Sequence, residues 1–239
     1  DNDFGFKMPE KLGVWKKATT NQTLISIKQI TKKYSVIVTT NYTLADAKNA
    51  SVSIEYTFSR DANITVKTSL DTKNEKLPVM PKFGTNLIIN NEFDNVKWFG
   101  RGPFENYQDR KTAATVAEYS ANVYDMYFPY IRPQENGYKT ENRWVTFTND
   151  EGDGIQITAS DYFSFSAHHQ YNNDFDAGEK KMQRHTTDIV KRDFVNINID
   201  AIQMGIGGDN SWSAMPHNEY QVKAVNRTFG YTISPIKND

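Results

Sequence analysis

The chain of 239 residues contains no cysteine. That removes a thiol nucleophile, a zinc–thiolate cluster and a disulfide framework, and it says little about compartment. No apolar run approaches the roughly 20 residues that a bilayer-spanning helix needs. Charge of one sign is missing too: 28 basic residues stand against 29 acidic ones, for a net −1. Such balance leaves no field to gather nucleic acid or an anionic membrane, and neither is expected as a partner. The first residues, Asp1-Asn2-Asp3, have neither the basic start nor the apolar stretch of a targeting segment. Low-complexity linkers and internal repeats are absent, and so are G-x-S-x-G and P-loop patterns. The four histidines, His168, His169, His185 and His217, show no H-x-H or H-x-x-x-H spacing. No metal site and no cofactor are therefore expected in this chain.

What is present is aromatic. Phe, Tyr and Trp make up 13% of the chain, as 14, 13 and 4 residues. Aromatic and β-branched side chains suit a pleated, half-buried surface, so the composition points to strands. The same rings serve either as sandwich core or as stacking faces for sugar.

Period-2 patterning supports the first use. From Val52 to Phe58, apolar Val52, Ile54, Tyr56 and Phe58 alternate with Ser53, Glu55 and Thr57, which predicts a half-buried strand. Similar signals occur at Leu24–Gln29, Tyr34–Thr39, Ile64–Thr68, Arg143–Thr148, Ile155–Ala159, Phe163–Ala167, Phe194–Ile199, Tyr220–Val225 and Phe229–Ile233. Asn149–Gly154 reads as a hairpin turn. Only Lys111–Ala121 has helical composition, and its alternation of small and large residues allows an extended form equally. Strands that do not alternate with helices exclude a parallel βαβ fold and a β/α barrel. The expected fold is all-β, an antiparallel sandwich of many strands in one domain spanning 1–239.

Several residues invite chemistry. Gly205-Ile206-Gly207-Gly208-Asp209-Asn210-Ser211-Trp212 is a glycine-rich turn with no helix pattern after it, so it is not a phosphate loop. Its glycines permit a shaped loop, and Trp212 at its end serves as a core plug or as an exposed stacking platform. Glycoside hydrolysis needs two carboxylates about 5–9 Å apart. Glu105, Asp109, Asp125, Glu135 and Asp209 all sit in turn-like contexts, where capping or bracing is the commoner role. Five N-x-S/T sequons, at Asn21, Asn41, Asn49, Asn63 and Asn226, are close to what composition gives by chance.

Four motifs in order are more specific than any of these. They are Trp98–Arg110 (WFGRGPFENYQDR), Asp125–Tyr130 (DMYFPY), Pro133–Gly137 (PQENG) and Met204–Ser213 (MGIGGDNSWS). Together they resemble the C-terminal domain of bacterial lactose-type β-galactosidases of glycoside hydrolase family 2, the small-chain domain of two-chain members. The resemblance is strongest over 95–137 and 196–217. It implies a large antiparallel β-supersandwich like that of galactose mutarotase. It also implies that the catalytic glutamates, and any Mg and Na ions, belong to a preceding barrel that this chain lacks. The catalytic barrel of the same polypeptide, or a large-chain partner, is then an expected partner, with homo-oligomerisation also open. On the same grounds Trp212 forms part of the wall that binds a β-galactoside, while Asp209, Asn210 and Ser211 shape its loop. Asn210 stands where Asp is common in the family, and Ala214 where Pro is common. Glu105, Asn106, Tyr107, Asp109 and Arg110 either form a buried polar network that braces a turn or contact the sugar or the barrel directly. Arg101, Glu135 and Asn136 are further candidates to line the cleft.

Two other functions compete. A free-standing aldose mutarotase or epimerase would need a carboxylate base paired with a histidine acid, such as Glu135 with His185 or His217. A carbohydrate-binding or assembly module would use the aromatics on extended glycan or on a partner chain, and a domain without its barrel should present an apolar contact face.

Overall fold

The computed structural model describes residues 2–176, 184–210, 212 and 214–238. In chain order the strands are β1 (Thr23–Thr31), β2 (Ser35–Leu44), β3 (Ala50–Ser59), β4 (Ile64–Asp71), β5 (Lys82–Ile89), β6 (Asn95–Gly102), β7 (Thr115–Asn122), β8 (Lys139–Thr148), β9 (Gly154–His168), β10 (Val195–Gln203) and β11 (Arg227–Ile236). Every pairing whose register is resolved is antiparallel. The all-β, antiparallel reading of the sequence holds. The chain divides into two compact units. The first holds Asp1–Phe83, Ile157–Ser160 and Gln203–Pro235; the second holds Gly84–Gln156, Asp161–Ile202 and Ile236–Asp239.

In the first unit the strands run in the order β1-β2-β3-β4-β11. Register places Leu24, Tyr42, Val52 and Leu70 in one cross-strand row, and Gln29, Val38, Tyr56, Val66 and Tyr231 in another. Directly opposed residues share a face, so these rows make one side of the sheet apolar. The other side carries Asn41, Ser53, Ser69 and Thr228, with hydroxyl pairs such as Ser69–Thr228 at 3.0 Å. The apolar side is closed at Leu70, Val66 and Tyr231, each 5% exposed, and open at Leu24 and Ile27 on β1. The alternation read at Val52–Phe58 is thus real, with Phe58 at its exposed end.

Three short helices precede this sheet: α1 (Asn2–Gly5), α2 (Met8–Lys11) and α3 (Gly13–Thr20). The sequence reading missed them, because each is too short to show a helical period. On α3 the buried residues are Trp15 and Ala18, three apart and therefore on one face. The Trp15 indole N–H donates to the carbonyls of Pro78 (3.2 Å) and Val79 (3.1 Å). That long-range anchor, not local propensity, holds the helix. Thr19 and Thr20 turn their hydroxyls back onto the Trp15 and Lys16 carbonyls, and Asn21 ends the last turn.

The second unit contains the path β9-β8-β6-β7 and the pairing of β10 with β5 and β9. Its core gathers Trp98, Phe147, Phe163, Phe165, Ile197 and Ile199. Phe165 meets both Trp98 and Phe147 edge-on, at centroid distances of 6.0 and 6.2 Å. The Asn149–Gly154 turn forms as expected. Asn149 N–H donates to Asp153 O, Gly152 N–H donates back to Asn149 O, and Gly152 adopts φ 87°. Lys111–Ala121 resolves to the extended alternative as β7, after a turn closed by Ala114 N–H on Lys111 O. The two predicted strands at Ile155–Ala159 and Phe163–Ala167 are one, β9. Tyr220–Val225 corrects a strand prediction: it holds only an isolated bridge, Val222 to Met80. A short helix, α4 (Val123–Met126), follows β7; Asn122 caps it by accepting the Tyr124 N–H at 3.0 Å.

Candidate functional site

The residues singled out in the sequence fall into two clusters, one in each unit. In the first unit, the glycine-rich loop follows β10. Its entry is fixed by Met204 N–H donating to Pro81 O (2.8 Å) and Gly205 N–H donating to Tyr220 O (2.9 Å). Gly208 has no room for a Cβ, which would meet Ala214 O and C at 2.4 and 2.9 Å. Asn210 closes the tip: its Oδ1 accepts the backbone N–H of Trp212 (3.1 Å) and of Ala214 (3.2 Å). This is the short side-chain turn for which Asn suits, and Asp would serve equally as acceptor. Trp212 is 70% exposed, so it is not a core plug. Ser211 lies outside the described residues. Asp209 accepts from His217 Nε2 at 2.8 Å, and Glu219 Oε1 lies 3.9 Å from His217 Nδ1. The hydrogen bond to Asp209 and the charges of Asp209 and Glu219 raise the imidazole pKa above its usual value.

In the second unit, the Trp98–Arg110 motif spans the end of β6 and the turn after it. Glu105 is tied by three donors. Oε1 accepts from Arg110 Nη2 (2.6 Å) and from the Tyr130 hydroxyl, and Oε2 accepts from the Gly137 N–H (2.8 Å). Asn106 is fully buried. Its Oδ1 accepts from Thr140 N–H (3.0 Å) and Oγ1 (2.5 Å), and its Nδ2 donates to Phe104 O (3.1 Å). Tyr107 stacks on Tyr138 at 5.4 Å, and the Arg110 guanidinium lies 5.4 Å from the Tyr107 centroid. These side chains brace the turn, as one of the two sequence readings held.

Arg101 is also held. It donates to Glu141 Oε2 (2.6 Å) and to the Ala114 carbonyl (2.8 Å), while Lys111 pairs with the other Glu141 oxygen. Asn136 is 1% exposed. Its Oδ1 accepts the Phe128 N–H (3.0 Å) and lies 3.0 Å from His168 Nε2, so its amide is spent on the interior of the unit. Glu135 is exposed beside it.

Electrostatics limits the chemistry of this cluster. Burial, then the charges of Glu135 and Glu105, push the Tyr107 phenol well above its usual pKa. Burial and then the Asp200 charge do the same for Tyr138, whose hydroxyl donates to Asp200 at 3.1 Å. Neither phenol is a base near neutral pH. Burial lowers Lys139 to about 8, against a smaller opposite pull from Glu105. Sequence reasoning passed over Lys139, because only the fold buries it. It also missed the pairing of His217 with Asp209, whose one signal was a separation of a few residues across a glycine-rich turn. Among the described residues no group of three or more His, Asp or Glu is placed to hold a metal ion. No helix among them is long and apolar enough to cross a membrane. His185 gives its backbone N–H to Asp188.

Comparison with known proteins gives a consistent result. The family model described as "Beta galactosidase small chain" matches residues 1–234. A β-galactosidase of Priestia megaterium is 34% identical over 99% of this chain and 22% of its own length. One from Pseudoalteromonas haloplanktis is 30% identical over 98% of this chain and again 22% of its own. The chain therefore spans under a quarter of the length of these curated relatives. Among solved structures, a galactose 1-epimerase from Lactobacillus acidophilus NCFM is similar at TM-score 0.44 and 4% identity, covering 90% of this chain and 67% of that one. A likeness that small carries no argument.

Proposed function

This chain belongs to the β-galactosidase small-chain family, and on that premise we propose that it walls a galactoside-binding site whose catalytic groups lie elsewhere in the enzyme. The observation that carries the reading is the presentation of Trp212. An indole 70% exposed at the tip of a loop, with its backbone held by Asn210, is a ready platform for the apolar C–H face of a galactopyranose. Asp209 and Asn210 shape the loop in this reading.

The two carboxylates that hydrolysis with retention requires come from a barrel in the same polypeptide or in a large-chain partner. The share of the relatives' length that this chain spans supports that division of labour. Mg and Na ions, where the enzyme uses them, sit with that barrel. The bracing clusters around Glu105 and Arg101 keep the second unit's surface in shape and take no chemical step.

The test is the full-length enzyme carrying Trp212→Ala. Losing a stacked ring should raise KM for a nitrophenyl β-galactoside by roughly tenfold, the equivalent of about 1.4 kcal/mol. An unchanged KM removes Trp212 from the site. The 239-residue chain by itself should show no turnover of that substrate; measured hydrolysis would overturn the reading.

A further inference from the structure

The loop that carries Trp212 is fastened on its far side by a residue with no assigned role. His217 sits at the entry of a single 3-10 turn, Asn218–Tyr220. That turn is anchored twice: Tyr220 N–H donates to His217 O (2.9 Å), and Tyr220 O accepts the Gly205 N–H (2.9 Å). The backbone of His217 is therefore tied to the start of the loop. Its side chain reaches the middle of the loop, with Nε2 2.8 Å from Asp209 Oδ1. Asp209 is followed by Asn210, whose Oδ1 holds the Trp212 and Ala214 N–H groups. The chain of contacts is continuous, from the 3-10 turn through His217, Asp209 and Asn210 to the backbone of Trp212.

We propose that His217 is the positioning residue for Trp212, and that its protonation state sets how firmly the tryptophan loop is held. The functional meaning rests on Trp212 being the sugar-facing residue. Among the described residues, the charged groups that face the ring are both acidic: Asp209 on Nε2 and Glu219 near Nδ1. Protonated, the imidazole donates from both nitrogens, and its bond to Asp209 is charge-assisted. Neutral, it keeps a single N–H, and the charge attraction to both carboxylates disappears.

The sign follows from the raised pKa of His217. The clamp is complete below the imidazole's ordinary pKa and is lost as pH rises through the higher value it has in the fold. The pair is exposed, with His217 and Asp209 side chains 55% and 80% accessible, so solvent screens it and global stability changes little. The consequence is local, in the order of the loop that carries Trp212.

The experiment uses the chain labelled with 5-fluorotryptophan. Its four tryptophans give separate fluorine resonances, and Trp212 is assigned by loss of its line in Trp212→Phe. The line width reports loop order without any sugar present. For the unsubstituted chain the Trp212 line should narrow roughly twofold between about pH 6 and about pH 9, with the lines of Trp15 and Trp98 unchanged. His217→Ala should give the narrow line throughout. His217→Gln, which keeps an N–H donor but does not titrate, should remove the pH dependence. A flat line in the unsubstituted chain, an unaltered profile in His217→Ala, or a surviving titration in His217→Gln each overturns the proposal. None of these bears on the sugar reading, which stands or falls on the KM of Trp212→Ala.

Discussion

Lys139 lies over Trp98 in the interior of the second unit. Its Nζ is 5.5 Å from the indole centroid and donates to the Gly137 carbonyl at 3.1 Å, and the residue is 3% exposed. Among the described residues that carbonyl and the ring face are the contacts resolved for the ammonium. A cation–π contact and one neutral acceptor do not replace full hydration.

The pH dependence of stability should reveal this. Lys139 titrates at about 8 in the fold against 10.5 when unfolded. Between those values the unfolded chain binds the extra proton, so stability rises with pH across that window. The gain is about 3 kcal/mol at most, from the size of the shift. Urea unfolding on either side of the window should show it, and Lys139→Met should flatten the profile without destabilising the chain near neutrality. A Lys139→Met profile that still climbs would place the titration on another group.

Asn106 gives a second expectation. Its amide oxygen serves two donors of Thr140 and its amide nitrogen serves the Phe104 carbonyl, all inside the fold. Asn106→Ala strands those partners and should cost about 3 kcal/mol in denaturant unfolding. Asn106→Asp keeps the acceptor, loses the donor and buries a charge, so it should be no milder. A loss below about 1 kcal/mol would mean that water replaces the amide.

Gly84 in β5 tests close strand packing. A Cβ there would lie 2.5 Å from the Ile199 carbonyl oxygen and 2.6 Å from the Asp200 Cα, both backbone atoms of the neighbouring β10. Backbone cannot swing aside as a side chain can, so Gly84→Ala should destabilise by about 3 kcal/mol or prevent folding. A thermal midpoint within a few degrees of the parent would show that β5 and β10 separate at little cost.

Legibility differed from element to element. β3 and β4 were visible because their apolar residues alternate and the face they make is half covered. β6 was not, although it too alternates. Its inward positions are Val96, Trp98, Gly100 and Gly102, and the glycines erase the hydrophobic signal. Gly100 is there because a Cβ would strike the Asn142 side chain and backbone, and Gly102 because Tyr119 and Trp98 fill its space. β9 was split in two because Ser160, Asp161 and Tyr162, at its middle, face solvent rather than core.

The candidate site divides in the same way. By itself the sequence determined the all-β class through its period-2 patterning, and it determined the family through four ordered motifs, since both are properties of residue order along the chain. Which motif residues brace and which are presented was decided only by tertiary structure. Asn136 and Asn106 are internal and Trp212 is open, although all three stand in polar, turn-like sequence. The contacts that settle this come from distant segments, such as Thr140 meeting Asn106 and His168 meeting Asn136. A turn's local composition carries no record of what the rest of the chain will bring against it.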